Sequence, residues 1–260
     1  MNILDKIVNQ VKKDLLGQKD NFPIEKLKKE IDYEYKTESL SQSLNIDGLS
    51  IIAEIKDTSP SKGKLMCNID FDSLAKHYFK ANVNGISVVT EKNFFNGSIQ
   101  NIPKLKSIDG YNQTPVLRKD FIVDEYQIFE SKYLKADAIL LIASLLEEKK
   151  LKKFVSLAEE LDLEYIVEIH DESELHKVLN VNPKIIGVNN RNLNNFQVDI
   201  NTTLNIINKI PKSIIIISES GIYTSEDMQK LYDKGCNGVL IGESIITSDD
   251  PYEKIIELKI

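Results

Sequence analysis

From residue 49 onward, short runs rich in β-branched residues alternate with amphipathic helical patterns, and the alternation repeats about eight times. The expected strands are 50–56, 85–90, 115–119, 137–143, 164–169, 184–189, 213–219 and 237–242. Helical segments such as 72–82, 124–135, 147–161, 172–179 and 225–234 fall between them. Strands joined through helices pair in parallel, because each crossover must carry the chain back to its starting end. Eight such units match a closed (β/α)8 TIM barrel, which takes roughly 250 residues. A doubly wound open sheet is the runner-up, but it usually needs fewer strands, and no GxGxxG follows the first strand. The helical patterns before residue 45 precede the first strand. Residues 1–48 are therefore expected to form an N-terminal helical extension that covers one end of the barrel, within a single domain spanning 1–260.

Barrels of this kind place their chemistry at the carboxyl ends of the strands. Those ends read Glu54 and Lys56, Thr90 and Glu91, Lys119, Ser144, Glu168, Asn189 with Arg191, Glu219 with Ser220, and Gly242 with Glu243. Glu54 and Lys56 lie two apart on a strand and so share a face. One such pair alone reads most simply as an ion pair closing a strand. The recurrence argues otherwise, since every inward charge must be paired or solvated at a cost, and a purely structural barrel has no use for so many. The ring of strand exits is read as a functional site.

A net charge of -7, with no long basic tract, argues against a nucleic-acid partner. An anionic small substrate would then need a locally positive pocket. Nearly all basic residues are lysine, and the two arginines, Arg118 and Arg191, both fall at strand exits. Arginine suits forked recognition of phosphate or carboxylate. Arg118 either reads an anion or makes a structural ion pair. Arg191 is followed by two glycine-bearing exits, SESGI (218–222) and IGESI (241–245), where backbone N–H groups can approach an anion. This is where many such barrels hold a phosphate.

No apolar run is long enough to cross a bilayer, and the first twenty residues lack the apolar core and cleavage site of a signal peptide. Cys67 and Cys236 are far apart and form no metal-binding or redox spacing. A cytoplasmic protein is expected, with no membrane partner. His170 reads as a loop or capping residue, and His77 and His176 as surface or packing positions. No His/Asp/Glu spacing suggests a metal.

With these residues in place, the chain closely resembles the indole-3-glycerol phosphate synthase family of tryptophan biosynthesis. The resemblance is carried by IAEIKDTSPSKG (52–63), ISVVTEKNFFNGS (86–98), PVLRKDFIVDEYQI (115–128), VEIHDESEL (167–175), IGVNNRNL (186–193), SESGI (218–222) and LIGESI (240–245). It implies decarboxylating ring closure of 1-(2-carboxyphenylamino)-1-deoxyribulose 5-phosphate, a small phosphosugar, with release of carbon dioxide and water and with no metal or organic cofactor. It further implies that Lys119 is the general acid for ring closure and that Glu168 is the base in the dehydration. Lys56 would contact the substrate carboxylate or protonate the departing hydroxyl, and Glu54, Asn189 and Glu219 would orient the lysines and the substrate hydroxyls. Ser59, Arg191, Ser220, Gly221, Gly242 and Glu243 match phosphate-site positions, with Glu243 contributing its backbone N–H. Phe95 matches a position that packs on the anthranilate ring.

Burial or a second ammonium nearby would lower a lysine pKa and ease proton donation, and Lys56 and Lys119 at one mouth supply that pair. Arg118 should point to the opposite side of its strand from Lys119. The Ser-Pro-Ser-Lys-Gly loop is expected to close over the substrate, with Gly63 as a flexible point. Asp57-Thr58 departs from the more basic or smaller pair usual in the family, and Lys64 to Asn68 carries no arginine. Another phosphosugar barrel, such as phosphoribosylanthranilate isomerase, would share the phosphate site but not Lys56, Lys119 and Glu168 together. A non-catalytic barrel would gain nothing from the buried charges. Association with other enzymes of the pathway is left open.

Overall fold

The computed structural model describes residues 3–192 and 196–260; Leu193, the last residue of the IGVNNRNL motif, lies outside the described residues. Eight strands run parallel: β1 (Ser50–Ile55), β2 (Gly85–Val89), β3 (Val116–Lys119), β4 (Ala138–Ile142), β5 (Glu164–Ile169), β6 (Ile185–Asn189), β7 (Ile215–Glu219) and β8 (Gly238–Ile241). Each pairs with its sequence neighbours, and β1 closes the ring against β8 in the register Ser50 to Gly238. The strands fall where the β-branched runs place them, trimmed slightly at their ends.

Alternation along each strand sorts the apolar residues into two cores. Ile52, Leu117, Leu140, Ile166, Ile217 and Leu240 fill the barrel interior. Ile51, Ile86, Ile139, Val167 and Val239 face outward and pack against the surrounding helices. Several of those helices start on side-chain caps. Asp70 accepts from the Ser73 N–H at 2.9 Å, and Asp124 and Thr224 open capping boxes on Glu125–Tyr133 and Ser225–Asp233. Among the described residues no helix is long and apolar enough to cross a membrane.

The extension differs from expectation, because it reaches both ends of the barrel. Helix α1 (Ile3–Asn21) buries Ile7, Val11 and Leu15, spaced four apart, against Val123 and Tyr126 and beside Phe95 and Phe121, all from segments that follow strands at the carboxyl end. After α2 (Ile24–Glu30) the chain runs to the opposite end, where Leu40 and Leu44 of the short α3 turn (Leu40–Ser43) and its C-cap join the interior cluster. There Ser43 Oγ donates to the Asn84 carbonyl at 2.6 Å, and Ser50 Oγ donates to the Leu44 carbonyl at 3.0 Å. The physical reason is simple: a barrel interior filled with Ile and Leu needs an apolar plug where its strands begin.

Candidate active site

Interior side chains of such barrels lie in layers of four, supplied by alternate strands. At the carboxyl end the layer from β1, β3, β5 and β7 is Glu54, Lys119, Glu168 and Glu219, one cation among three carboxylates. Lys119 Nζ lies 3.2 Å from Glu168 Oε2 and 3.4 Å from Glu219 Oε2. Lys56, one residue past β1, caps the layer with Nζ 2.5 Å from Glu54 Oε1. Glycines on the intervening strands make room for it. A Cβ at Gly187 would stand 2.2 Å from Glu219 Oε1, and one at Gly242 would stand 3.0 Å from Glu54 Oε1.

The charges in this layer set one another. Burial alone would drive Lys119 toward its neutral form, but Glu168, Glu219 and Glu54 outweigh it and raise its pKa. The expectation of a lysine made more acidic therefore fails, because three carboxylates surround this ammonium. Burial also pushes Glu168 and Glu54 upward, yet Lys119 and His170 hold Glu168 well below the usual range, and Lys56 and Lys119 do the same for Glu54. Glu219 is left with the burial: its carboxyl is pushed up to about 8, and neither oxygen accepts a hydrogen bond. The layer thus pushes two neighbouring carboxyls apart, Glu168 toward the ionised form and Glu219 toward the protonated one.

Across the cavity the last strand exits form an anion-shaped wall. Ser220 and Gly221 have consecutive positive φ values of 68° and 80°, the backbone turn that gathers N–H groups into a concavity. Ser220 Oγ donates to Asn189 Oδ1 at 3.1 Å, and the Arg191 backbone N–H donates to the same oxygen at 3.0 Å. Asn189 therefore braces this wall rather than a lysine. The Arg191 guanidinium sits 3.7 Å from the Glu243 carboxylate, which also lies 3.6 Å from Lys62 and accepts from Tyr223 Oη at 3.2 Å. On the third side Phe95 and Phe121 lie with ring centroids 5.9 Å apart, an apolar flank for a planar group.

Glu54, Lys56, Phe95, Lys119, Glu168, Asn189, Arg191, Glu219, Ser220, Gly221, Gly242 and Glu243 all line this one cavity. Ser59 does not. It belongs to a two-residue ribbon, Thr58–Ser59 against Gly63–Lys64, where its hydroxyl accepts from the Lys62 N–H. The loop reaches the anion wall instead through Ser61, which accepts from Arg191 at 3.4 Å, and through Lys62. The ribbon is held to the β2 exit by Thr58 N–H donating to the Phe95 carbonyl at 3.3 Å.

Arg118 points away from Lys119, as alternation requires. Its buried guanidinium pairs with Asp120 at 3.0 Å and Glu130 at 2.8 Å, which makes it structural. Three residues escaped the reading of the sequence. Phe121 and Tyr223 line the cavity, and Phe121 could have been found as the residue two beyond Lys119 on the same face. His170 was set aside as a loop or capping residue, but its ring packs with Nε2 3.2 Å from Glu168 Oε1. His176 is exposed and His77 half-buried on their helices.

Comparison with known proteins agrees with this geometry. Residues 4–258 match a family described as indole-3-glycerol phosphate synthase. Proteins of that name from Thermoanaerobacter sp. (strain X514) and Acetivibrio thermocellus are similar to the chain. The first is 46% identical over 97% of this chain and 95% of its own length, and the second is 42% identical over 99% of each. Among solved structures, 3-hexulose-6-phosphate synthase from Salmonella typhimurium superposes with a TM-score of 0.64 at 14% identity. That match covers 81% of this chain and 96% of the other, a likeness of fold alone.

Proposed function

The chain belongs to the indole-3-glycerol phosphate synthase family, and from that premise we propose how its residues divide the reaction. The activity is decarboxylating ring closure and dehydration of 1-(2-carboxyphenylamino)-1-deoxy-D-ribulose 5-phosphate to indole-3-glycerol phosphate, carbon dioxide and water, in tryptophan biosynthesis. The observation that carries the assignment of roles is the layer of Glu54, Lys119, Glu168 and Glu219 facing a separate anion wall across one cavity.

The substrate phosphate rests on the Ser220–Gly221 turn, on the backbone at Gly242 and Glu243, and against Arg191. That anchors the sugar chain with its C2 carbonyl over Lys119, while the carboxyphenyl ring lies along Phe95 and Phe121. Lys119 gives its proton to the carbonyl oxygen as the ring carbon attacks the carbonyl carbon, and carbon dioxide leaves to restore aromaticity. The new hydroxyl then departs as water, taking a proton from Lys56, and Glu168 removes the proton of the neighbouring carbon to complete the indole. Two protons are given and one is taken, and the net uptake of one proton balances the negative charge of the carboxylate that leaves as neutral carbon dioxide. Glu54 orients Lys56, and Glu219 steadies Lys119.

A lysine surrounded by carboxylates is a weak acid. The negative charge that grows on the carbonyl oxygen beside it is what draws its proton. The reaction proceeds in the cytoplasm, where the free thiols of Cys67 and Cys236 are stable. Incubating purified protein with the substrate and following indole fluorescence tests this directly, helped by the absence of Trp from the chain. Product should form in the presence of EDTA. A requirement for added divalent metal would overturn the metal-free mechanism.

A further inference from the structure

We propose that His170 is a positioning residue for Glu168, its ring clamped between Glu168 and Glu174 so that it fixes the charge and direction of the reacting carboxylate. The inference rests on the reading of Glu168 as the base. His170 follows β5 directly, and its side chain is only 12% exposed. Nε2 faces Glu168 Oε1 at 3.2 Å, on the side of the carboxylate away from Lys119, which holds Oε2 at the same distance. Nδ1 faces Glu174 Oε2 at 3.8 Å, and that oxygen accepts the His170 backbone N–H at 2.8 Å. Glu168 therefore has one cation on each oxygen.

The groups around the ring settle its charge. Burial would favour neutral imidazole, but Glu168 and Glu174 outweigh it and raise the ring pKa to about 10. The groove on the outer side of His170 adds Asp5 of α1, Asp171 and Asp199, and Lys119 beyond Glu168 is the cation nearest across the site. Neither ring nitrogen reaches hydrogen-bond geometry with a carboxylate. The ring thus acts on Glu168 through its charge and bulk rather than by sharing a proton. Without it, Lys119 would be the main group left to oppose the burial of Glu168, and the pKa of the base would move upward.

The test compares His170→Asn with His170→Lys, which keeps a charge. His170→Asn should lower kcat roughly ten- to a hundredfold, less than loss of the base itself. KM should stay within about twofold, since no substrate contact is removed. The acid limb of kcat/KM should move to higher pH, and His170→Lys should restore most of the rate. An unmoved limb, or a His170→Lys variant as slow as His170→Asn, overturns the proposal. Where His170→Asn does not fold, Glu174→Gln removes the outer clamp and should move the limb the same way by less; an unmoved limb there is equally fatal. Glu168→Gln is measured beside them. If it turns over normally, the reading of Glu168 as base fails. If it is crippled while His170→Asn is normal, this inference alone fails.

Discussion

At the amino end of the barrel, Asp137 is fully buried and all its lone pairs are used. Its oxygens accept from the Val116 N–H at 2.8 Å, the Glu38 N–H at 3.0 Å, Tyr35 Oη at 3.4 Å and Lys106 Nζ at 2.6 Å. At the carboxyl end Glu219 is as deeply buried, yet neither oxygen accepts a hydrogen bond and the nearest cation, Lys119, is shared with Glu168. Both ends hold lysines among carboxylates. The lower set is closed on itself and fastens residues 35–38 of the extension to the barrel. The upper set leaves buried polar atoms without partners, at about 1–3 kcal/mol each, and so keeps bonding capacity for a guest. Saturation distinguishes a structural charge cluster from a functional one better than composition does.

The sharpest way to break this contrast is to make the same change at both ends. Lys119→Met should reduce single-turnover rates by at least roughly 100-fold with substrate still bound, the loss expected for a missing general acid. Lys106→Met should leave the turnover of folded protein near that of the parent and instead cost about 3 kcal/mol in denaturant unfolding, because it strands a buried carboxylate. Equal effects on turnover would erase the distinction. Arg118→Met belongs with the lower set in this respect: its cost should appear in stability and not in chemistry.

Arg191→Ala extends the comparison to the anion wall. It should weaken substrate binding by roughly ten- to a hundredfold, as loss of a charged hydrogen bond does. The parent should discriminate strongly against dephosphorylated substrate and the variant much less. Equal discrimination by both would show that Arg191 does not read the phosphate.

Glu219→Gln carries the smallest effect and the most pointed sign. A carboxyl raised to about 8 in the folded protein, against about 4.3 unfolded, binds more protons folded than unfolded across that interval. It therefore costs stability progressively as pH rises through the interval. Glu219→Gln should match the parent near pH 4 and exceed it by a margin that grows as pH rises toward 8, where a buried charge has been removed. A variant less stable than the parent at pH 8 would mean that Glu219 is satisfied after all.

The strands and the ring at their ends were legible because period-two alternation and a polar residue closing each apolar run are local signals. Twelve of the expected positions meet in one cavity for that reason. Ser59 stands apart from the cavity because the turn of a ribbon, not the motif, decides which residue of the Ser-Pro-Ser-Lys-Gly loop reaches across to Arg191. His170 escaped because its meaning lies in a contact with Glu168 two residues back and a clamp from Glu174, visible only once the loop is folded. The direction of the Lys119 shift was missed for a related reason. Counting two ammonium groups along the chain says nothing of three carboxylates arranged around one of them in space. The same limit hid the second footing of the extension, since no local pattern joins Leu40 to Ile185.

That second footing has a consequence for synthesis. Ser41 bonds Glu164 at 2.7 Å, Thr37 bonds the Asp162 carbonyl at 2.7 Å, and Glu38 bonds Asp137, so residues 37–41 find these partners only across separations of 99 to 125 residues. The stripe Ile7, Val11 and Leu15 likewise waits for Val123 and Tyr126, with only nearer partners such as Leu27 made before them. Contacts of such long separation are slow to close. The extension is thus made before its barrel partners and comes late in order of assembly, and its apolar helix stays only partly covered until those partners have been made.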